Sequence, residues 1–585
     1  MNKIYNLIWS AAKGRWIVVS EKVKGNGKVP SSPLRTLAVL AAMFASGGPA
    51  YALDPASLPD GGQITAGVAT IATTGTQMTV NQSSQKMIAN WQSFNIGENA
   101  SVRFIQPNST AAALNRISNQ SPSQIMGLLS ANGQVFLLNQ AGIIFGKNAT
   151  VNVGGLVASS LNMLDSDFLA TKYKFTNEGS AGSILNQGAI KAADGGVVAL
   201  MAPRVTNEGN ITANSGHALL AAADQVSIDF KGDGLLSYTV DRGAVDALVE
   251  NKGLIKADGG VVVMTAVAAD ALRMATASNT GVIEACTIQN KGGRIMLISD
   301  MENGQTTVSG TLDASAPNGG NGGFIETSGR ELTVIDGATI TTLAPFGNAG
   351  TWIIDPVDFT VSAGSGALTT SGIGATTLSN SLSTTDVRIA TETSTNGNGD
   401  IFVNSPVNIS SHILSLLADG AVTINDPITG SGQLVLQSGT NGATNKAVTI
   451  NNPILLGGGK LKITSTGGAQ SNAKIQAFGL LELYGKGAFN INAVALSDFD
   501  HFTAYVNGSI DLYENNDFLL IDPPGVTATE NVTLRASTYI TVNDLISTSG
   551  AVSLTANAIT IANAKSVSSS SGGTISIFAN TLSNR

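Results

Sequence analysis

The stretch "NQGAIKAADGGVVALMA", Asn186 to Ala202, holds two short apolar strands joined by a glycine-led turn, and its first seven residues return along the chain. They come back as "NEGNITA" at Asn207, "NKGLIKA" at Asn251 and "NTGVIEA" at Asn279, with a looser "VSGTLDA" at Val308. The second strand comes back as "DGGVVVMTA" at Asp258. The starts lie 21, 44, 28 and 29 residues apart, which reads as one coil of twenty-odd residues with insertions and one double step. Short strands at this period, without helical spacing, indicate a solenoid of stacked coils, a parallel β-helix. One coil alone cannot bury its apolar face, so Ile190, Ile211, Ile255 and Ile283 are expected to stack as an inward ladder, with about 4.8 Å between coils. Asn at the head of each phrase and Gly two residues later suit a sharp corner, because both tolerate left-handed backbone angles. The asparagines are read as a stacked corner ladder rather than a ligand site.

Composition agrees with a lean, repetitive all-β chain. Of 585 residues only 5% are aromatic and 12% charged, against 66 glycines. The apolar share is carried by Ala, Val, Ile and Leu, which suit pleated surfaces. At about 22 residues per coil, residues 53–585 would make roughly 24 coils and a rod of about 115 Å. Cys286 is the sole cysteine, so no intramolecular disulfide forms, and no Cys/His cluster has metal-ligand spacing; no metal or cofactor is expected. Cys286 is read as a small residue in the apolar phase of its repeat.

The first 52 residues read as an address. A basic segment with Lys3, Lys13, Arg15, Lys22, Lys24, Lys28 and Arg35 precedes the apolar run Leu37 to Ala45 and an A-x-A site at Ala50-Tyr51-Ala52. Cleavage is expected after Ala52. The apolar run is too short to span a membrane, and no later stretch has about 18 uninterrupted apolar residues. The leader holds seven Lys/Arg and one acid, a net +6, which leaves −14 for residues 53–585 against −8 for the whole chain. So acidic a chain is a poor binder of nucleic acid or anionic membranes.

A second set of phrases follows: "VNSPV" at Val403, "INDPI" at Ile424, "INNPI" at Ile450 and "VNDLI" at Val542. Proline at a strand margin, where its missing N–H costs little, fits a coil corner. The solenoid is therefore expected to run nearly to the last residue, with a transition at "GNAGTWIIDPVDFTV", Gly347 to Val361.

Parallel β-helices include carbohydrate-active enzymes, which need paired carboxylates on one face. The candidate pairs are Asp194 with Asp258, Asp229 with Asp233, and Asp355 with Asp358, each read as a turn or solvated loop. His217, His412 and His501 are scattered over different coils. No catalytic triad or phosphate-binding loop is evident, and the chain is read as non-enzymatic.

Three further stretches carry a resemblance: "NWQSFNIGENASVRF" (Asn90 to Phe104), "ALNRISNQSPSQIMGLLSANGQVFLLNQAGIIFG" (Ala113 to Gly146) and "VNVGGLVASSLN" (Val151 to Asn162). Together they resemble the secretion domain of the filamentous haemagglutinin family, the exported proteins of two-partner secretion. "MNKIYNLIW" and "GRWIVVSE" resemble the extended signal peptides of very large secreted Gram-negative proteins, and "AGTWIIDPVDFTV" is similar to a segment of haemagglutinin-like and haem-haemopexin-binding relatives. The resemblance implies an all-β fold, a right-handed parallel β-helix of the single-stranded, pectin-lyase-like kind with an N-terminal cap. It implies recognition by a dedicated outer-membrane β-barrel transporter.

The family phrase Asn-Pro-Asn-Gly-Ile stands here as Asn139-Gln140-Ala141-Gly142-Ile143, keeping Asn139, Gly142 and Ile143. The family's Asn-Pro-Asn-Leu phrase is replaced by "LNRI", with Asn115 and Arg116 in its neighbourhood. These five residues are the candidates for transporter recognition, and a β-turn role is weighted above direct reading for Asn139 and Gly142. The domain plan is an extended signal peptide over 1–52, a secretion domain over 53–300, continuing helix and transition over 301–360, and further β-helical repeats over 361–585. The expected product is a secreted or cell-surface adhesin that meets an unknown receptor on a host or neighbouring cell. The alternatives are a haem- or haemopexin-binding protein and a β-helical carbohydrate-active enzyme.

Overall fold

The computed structural model describes residues 5–10, 15–20 and 53–584, apart from 180–181, 231–235, 271–272, 395–396, 493–496 and 516. In the leader, Tyr5–Ser10 and Arg15–Ser20 pair antiparallel. The expected cleavage signal, Ala50 and Ala52, lies outside the described residues.

From Lys86 onward every coil lays one strand on its predecessor. The main sheet contains twenty successive parallel strands among the described residues, from Lys86–Trp91 to Thr581–Asn584. At about 4.8 Å per step the stack is about 90 Å long. Twenty coils replace the expected 24 because insertions lengthen several of them. A second sheet runs from Ser123–Ile125 to Ile575–Phe578, and a third from the Ala69–Thr74 and Gln77–Gln82 hairpin to Thr339–Thr341. Parallel crossovers of this type are right-handed. Before the first coil, Gln63–Ala66 pairs antiparallel with Lys86–Trp91, so antiparallel strands cap the parallel edge.

The inward ladder forms as the phrases require. Ile190, Ile211, Ile255 and Ile283 are in register and buried, followed by Leu312 and Ile340. Each contributes about 1.5–3 kcal/mol of burial. The phrase-heading asparagines also stack: Asn186 donates to Asn207 at 2.7 Å, Asn207 to Asn251 at 2.7 Å and Asn251 to Asn279 at 2.8 Å, all four fully buried.

The corner glycines correct the sequence reading. Gly209, Gly253 and Gly281 do not adopt left-handed angles. A Cβ on Gly253 would instead lie 2.0 Å from the carbonyl oxygen of Gly209, one coil below, and one on Gly281 would lie 2.2 Å from that of Gly253. Close stacking excludes a side chain there. Left-handed angles belong to the "DGG" turns, at Gly195 (φ +79°) and Gly259 (φ +66°), with Ser215 (φ +53°) in the intervening coil. Cys286 is also displaced from its expected phase: Ala285 points inward and Cys286 is half-buried on the outside, its thiol pushed up to about 11 chiefly by desolvation.

The double step between Asn207 and Asn251 is an insertion within one coil, since the two strands pair directly. The inserted residues belong to a lid. Helix α1 (Asp165–Leu169) and a three-stranded antiparallel sheet, Tyr173–Thr176, Gln225–Phe230 and Leu236–Arg242, cover the outer face of the early main sheet. Beneath them Leu114, Phe136, Val157 and Leu219 meet Phe168, Tyr173, Phe175 and Ile228 in a second apolar core. Strands under the lid are buried on both faces, so "VVALMA" and, after His217, "ALLAA" are unbroken apolar runs. Beyond it alternation returns, as in "ILSLLA", where Leu414, Leu416 and Ala418 alone are buried.

Asp54–Arg585 is one compact unit. At Gly347 to Val361 the main sheet continues unbroken through Thr351–Asp355, with Trp352 and Phe359 in the core. What changes is the third face, where α2 (Ala375–Ser381) packs between Thr339–Thr341 and Val407–Ile409, which starts a new four-stranded third sheet. Pro427 and Pro453 stand before strands of that sheet and offer carbonyl oxygens to Val407 and Ile428 at 3.0 Å, which needs no N–H from proline.

Candidate functional site

Strand Gln134–Asn139 leaves the main sheet, and Ile143–Phe145 enters the second sheet. Asn139 makes the turn between them. Its Oδ1 accepts from the Ala141 amide at 2.9 Å, its carbonyl accepts from the Gly142 amide at 2.9 Å, and its Nδ2 donates to Ser121 O and Ser123 Oγ, both at 3.0 Å. Gly142 has φ +109°, and a Cβ there would lie 2.6 Å from Ser183 O of the next coil. Ile143 is fully buried and pairs with Ser123 and Ile184. All three residues therefore bind coil to coil.

Asn115 and Arg116 are neighbours that face opposite ways. Asn115 points into the rod, fully buried, accepting from Trp91 Nε1 at 3.0 Å and donating to Phe136 O at 3.2 Å. Arg116 points outward and grips the start of the lid, donating to Asn162 Oδ1, to Met163 O at 2.7 Å and to Asp165 Oδ1 at 2.6 Å.

Of the five candidates, the structure brings Arg116 and the Asn139–Gly142 turn to one open groove of about 650 Å³. Besides Arg116, the side chains that face solvent there are not among the five candidates. Glu178 Oε2 accepts from Asn162 Nδ2 at 2.9 Å and from Gln140 Nε2 at 3.3 Å. Arg116, Asn162, Glu178 and Gln140 thus form a polar rim, with Asn119 beside it carrying a buried Oδ1 without a hydrogen-bond partner. Two of the rim residues, Asn162 and Glu178, flank the strands of the lid, so the groove lies where lid and rod meet. The unbroken apolar runs over 197–202 and 218–222 were the sequence signal for that lid.

The acidic pairs are dispersed. Asp194 is an exposed turn residue, whereas Asp258 pairs with Lys256 at 2.8 Å and accepts from the Cys286 amide at 3.0 Å. Asp233 lies outside the described residues. Asp358 Oδ1 accepts from the Asn398 and Asp400 amides at 3.1 and 2.8 Å, which holds a turn. Asp355 is different: desolvation, with Glu392 and Glu326 adding to it, pushes its carboxyl up to about 7, beside Arg388 in a cleft of about 270 Å³. The three histidines sit on separate coils, His412 Nδ1 lying 2.9 Å from Leu382 O and His501 against Asp522. Among the described residues no group of three or more His, Cys, Asp or Glu is placed to hold a metal ion, and no helix is long and apolar enough to cross a membrane.

Comparison with known proteins follows the same division of the chain. Residues 56–314 match the family model of the TPS secretion domain, and residues 1–50 match that of the extended signal peptide of the type V secretion system. The matched span contains the whole lid and groove. A heme/hemopexin-binding protein of Haemophilus influenzae strain Rd is 34% identical over 252 residues, covering 42% of this chain and 27% of the relative. A second Haemophilus influenzae heme/hemopexin-binding protein is 29% identical over 278 residues, covering 43% of this chain and 29% of the relative. Each match thus spans less than a third of the relative. The crystal structure of the HMW1 secretion domain from Haemophilus influenzae superposes with a TM-score of 0.46 at 23% identity, covering 71% of this chain and 98% of that domain.

Proposed function

This chain is a two-partner secretion exoprotein with an extended signal peptide, secreted to the medium or the cell surface, and from that premise we propose that it acts as a non-catalytic adhesin whose secretion domain is read at the groove beside Asn139. A TPS secretion domain implies a cognate outer-membrane transporter. The observation that carries the groove is its rim: Arg116, Asn162 and Glu178, with Gln140 of the turn itself, are the polar side chains presented there, whereas Asn139 and Gly142 are internal. Asn139 and Gly142 build the surface, and the rim meets the partner. Beyond the secretion domain the rod is a spacer and display surface, each coil needing only its predecessor to fold. Such a scaffold suits multivalent contact with a receptor on a host or neighbouring cell.

The test is secretion of the full chain from cells with and without the neighbouring transporter, comparing wild type, Asn139→Ala, Gly142→Val and the rim variant Glu178→Lys. Transporter-dependent secretion that fails in the rim variant supports the reading, provided the refolded variant keeps its β signal. Unchanged secretion of Glu178→Lys together with Gln140→Arg rejects the rim. The similarity to proteins named for heme and hemopexin binding favours a second reading, capture of one of those ligands. Haem difference spectra and haemopexin pull-down on the exported chain separate it from adhesion.

A further inference from the structure

The outer face of the second sheet carries an in-register row that passes from Thr360 to Phe402 and on through Thr423, Thr449, Gln470, Asn490 and Asp511 to Ser576. From Phe402 to Asn490 every member is uncharged and half-exposed. The outward face of the main sheet is different in kind, bearing Arg388, Lys462 and Glu482.

At Asp511 the row meets a compact polar group. Asn492 Nδ2 donates to Asp511 Oδ2, Arg535 donates to Asp511 Oδ1 at 2.5 Å, and the Arg535 guanidinium sits 5.8 Å from the centre of the Tyr513 ring. Tyr513 donates its hydroxyl to Asn515 Oδ1 at 2.9 Å and presents a half-exposed ring on the same face. Four of the eight tyrosines, Tyr484, Tyr505, Tyr513 and Tyr539, fall in this part of the rod.

We propose that this face binds an uncharged, extended glycan chain lying along the rod, with its anchor at Asn492, Asp511, Tyr513 and Arg535. This rests on the adhesin reading and names its ligand class. Three physical features select the ligand. Hydroxyl and amide side chains recur at about 4.8 Å, close to the advance of one sugar in an extended 1,4-linked β-glycan, so each sugar along the rod has a hydrogen-bonding side chain beside it. Phe402 and Tyr513 offer apolar surfaces for the C–H face of a sugar ring, and Tyr513 keeps a polar tip. The one ion pair on the anchor is internally neutralised, and the net −14 of residues 53–585 opposes polyanionic glycans.

The experiment uses the exported full chain with cellohexaose, chitohexaose and their disaccharides as probes, an oligogalacturonate as the anionic control, and titration calorimetry as readout. A hexasaccharide should bind at least tenfold more tightly than its disaccharide, and Tyr513→Ala and Asp511→Asn should each weaken it at least tenfold. Tyr505→Ala, on the main sheet, should leave it unchanged. Absence of binding to either hexasaccharide, equal binding by the Tyr513 and Asp511 variants, or preference for the oligogalacturonate overturns the proposal. Adherence of the same protein to cultured epithelial cells is measured in parallel: adherence without hexasaccharide binding overturns the glycan face and leaves the adhesin reading, whereas no adherence overturns that reading itself.

Discussion

Asn207 donates from Nδ2 to Asn251 Oδ1 at 2.7 Å across 44 residues of sequence, and neither side chain reaches solvent. Removing one asparagine leaves a buried neighbour without its partner, at a cost of about 1–3 kcal/mol. Asn404, Asn425, Asn451 and Asn472 form a similar row at 2.8 to 2.9 Å, but exposed, where water replaces a lost partner. Asn251→Ala is therefore expected to lower the denaturant midpoint clearly and Asn425→Ala hardly at all. Equal shifts would show that burial does not set the value of the ladder.

The corner and turn glycines separate two costs that sequence alone merges. Gly253→Ala places a methyl 2.0 Å from a backbone oxygen that cannot withdraw without parting two coils. Gly195→Ala meets nothing within 4 Å but must hold φ +79°, a strain of about 1–2 kcal/mol. Equilibrium unfolding should rank Gly253→Ala as the more damaging by several kcal/mol, and the reverse order would overturn the close-stacking account.

Asp355 predicts a pH dependence of known sign. Its carboxyl is raised to about 7 in the folded chain, first by desolvation and then by Glu392 and Glu326, from the ordinary aspartate value of 3.8. The folded chain therefore holds this proton more tightly than the unfolded chain, and stability from this group falls as pH rises from about 4 through 7. Wild type should show a higher denaturant midpoint at pH 5 than at pH 8, other groups being equal, and Asp355→Asn should shrink that difference. A difference unchanged by the substitution would place its origin elsewhere.

Much of the rod was legible because a β-helix writes its contacts at a local period. The isoleucines at the fifth position of each phrase and the asparagines at the first predict their own stacking. The reason for the glycines was not legible, since Gly209 beneath Gly253 becomes crowded only when the register between coils is known. The lid was hidden for a related reason: Tyr173 pairs with Ile228 across two separate insertions, and a 44-residue spacing reads equally as two coils. With the lid missing, Asn162 and Glu178 could not be placed beside Arg116, so the motif residues stood in for a groove they only support.

The lid should behave as a cooperative piece separate from the rod. Its apolar contacts form a cluster distinct from the inner core, and two cations hold α1 at its ends. Arg116 takes Met163 O and Asp165, while Lys86 Nζ donates to Phe168 O at 2.7 Å, Leu169 O at 3.0 Å and Thr171 Oγ1 at 2.7 Å. Phe168, fully buried with its ring 5.4 Å from that of Phe136, is the central contact. Phe168→Ala should cost the lid about 3–5 kcal/mol, most of what a small packed unit has to lose. The inner ladder of Ile190, Ile211 and Ile255 makes no use of that ring, so the rod should stay folded. Limited proteolysis should then cut within 160–181 and 223–243 while the main-sheet strands remain protected from hydrogen exchange. Loss of protection throughout the first coils would instead show that lid and rod fold as one.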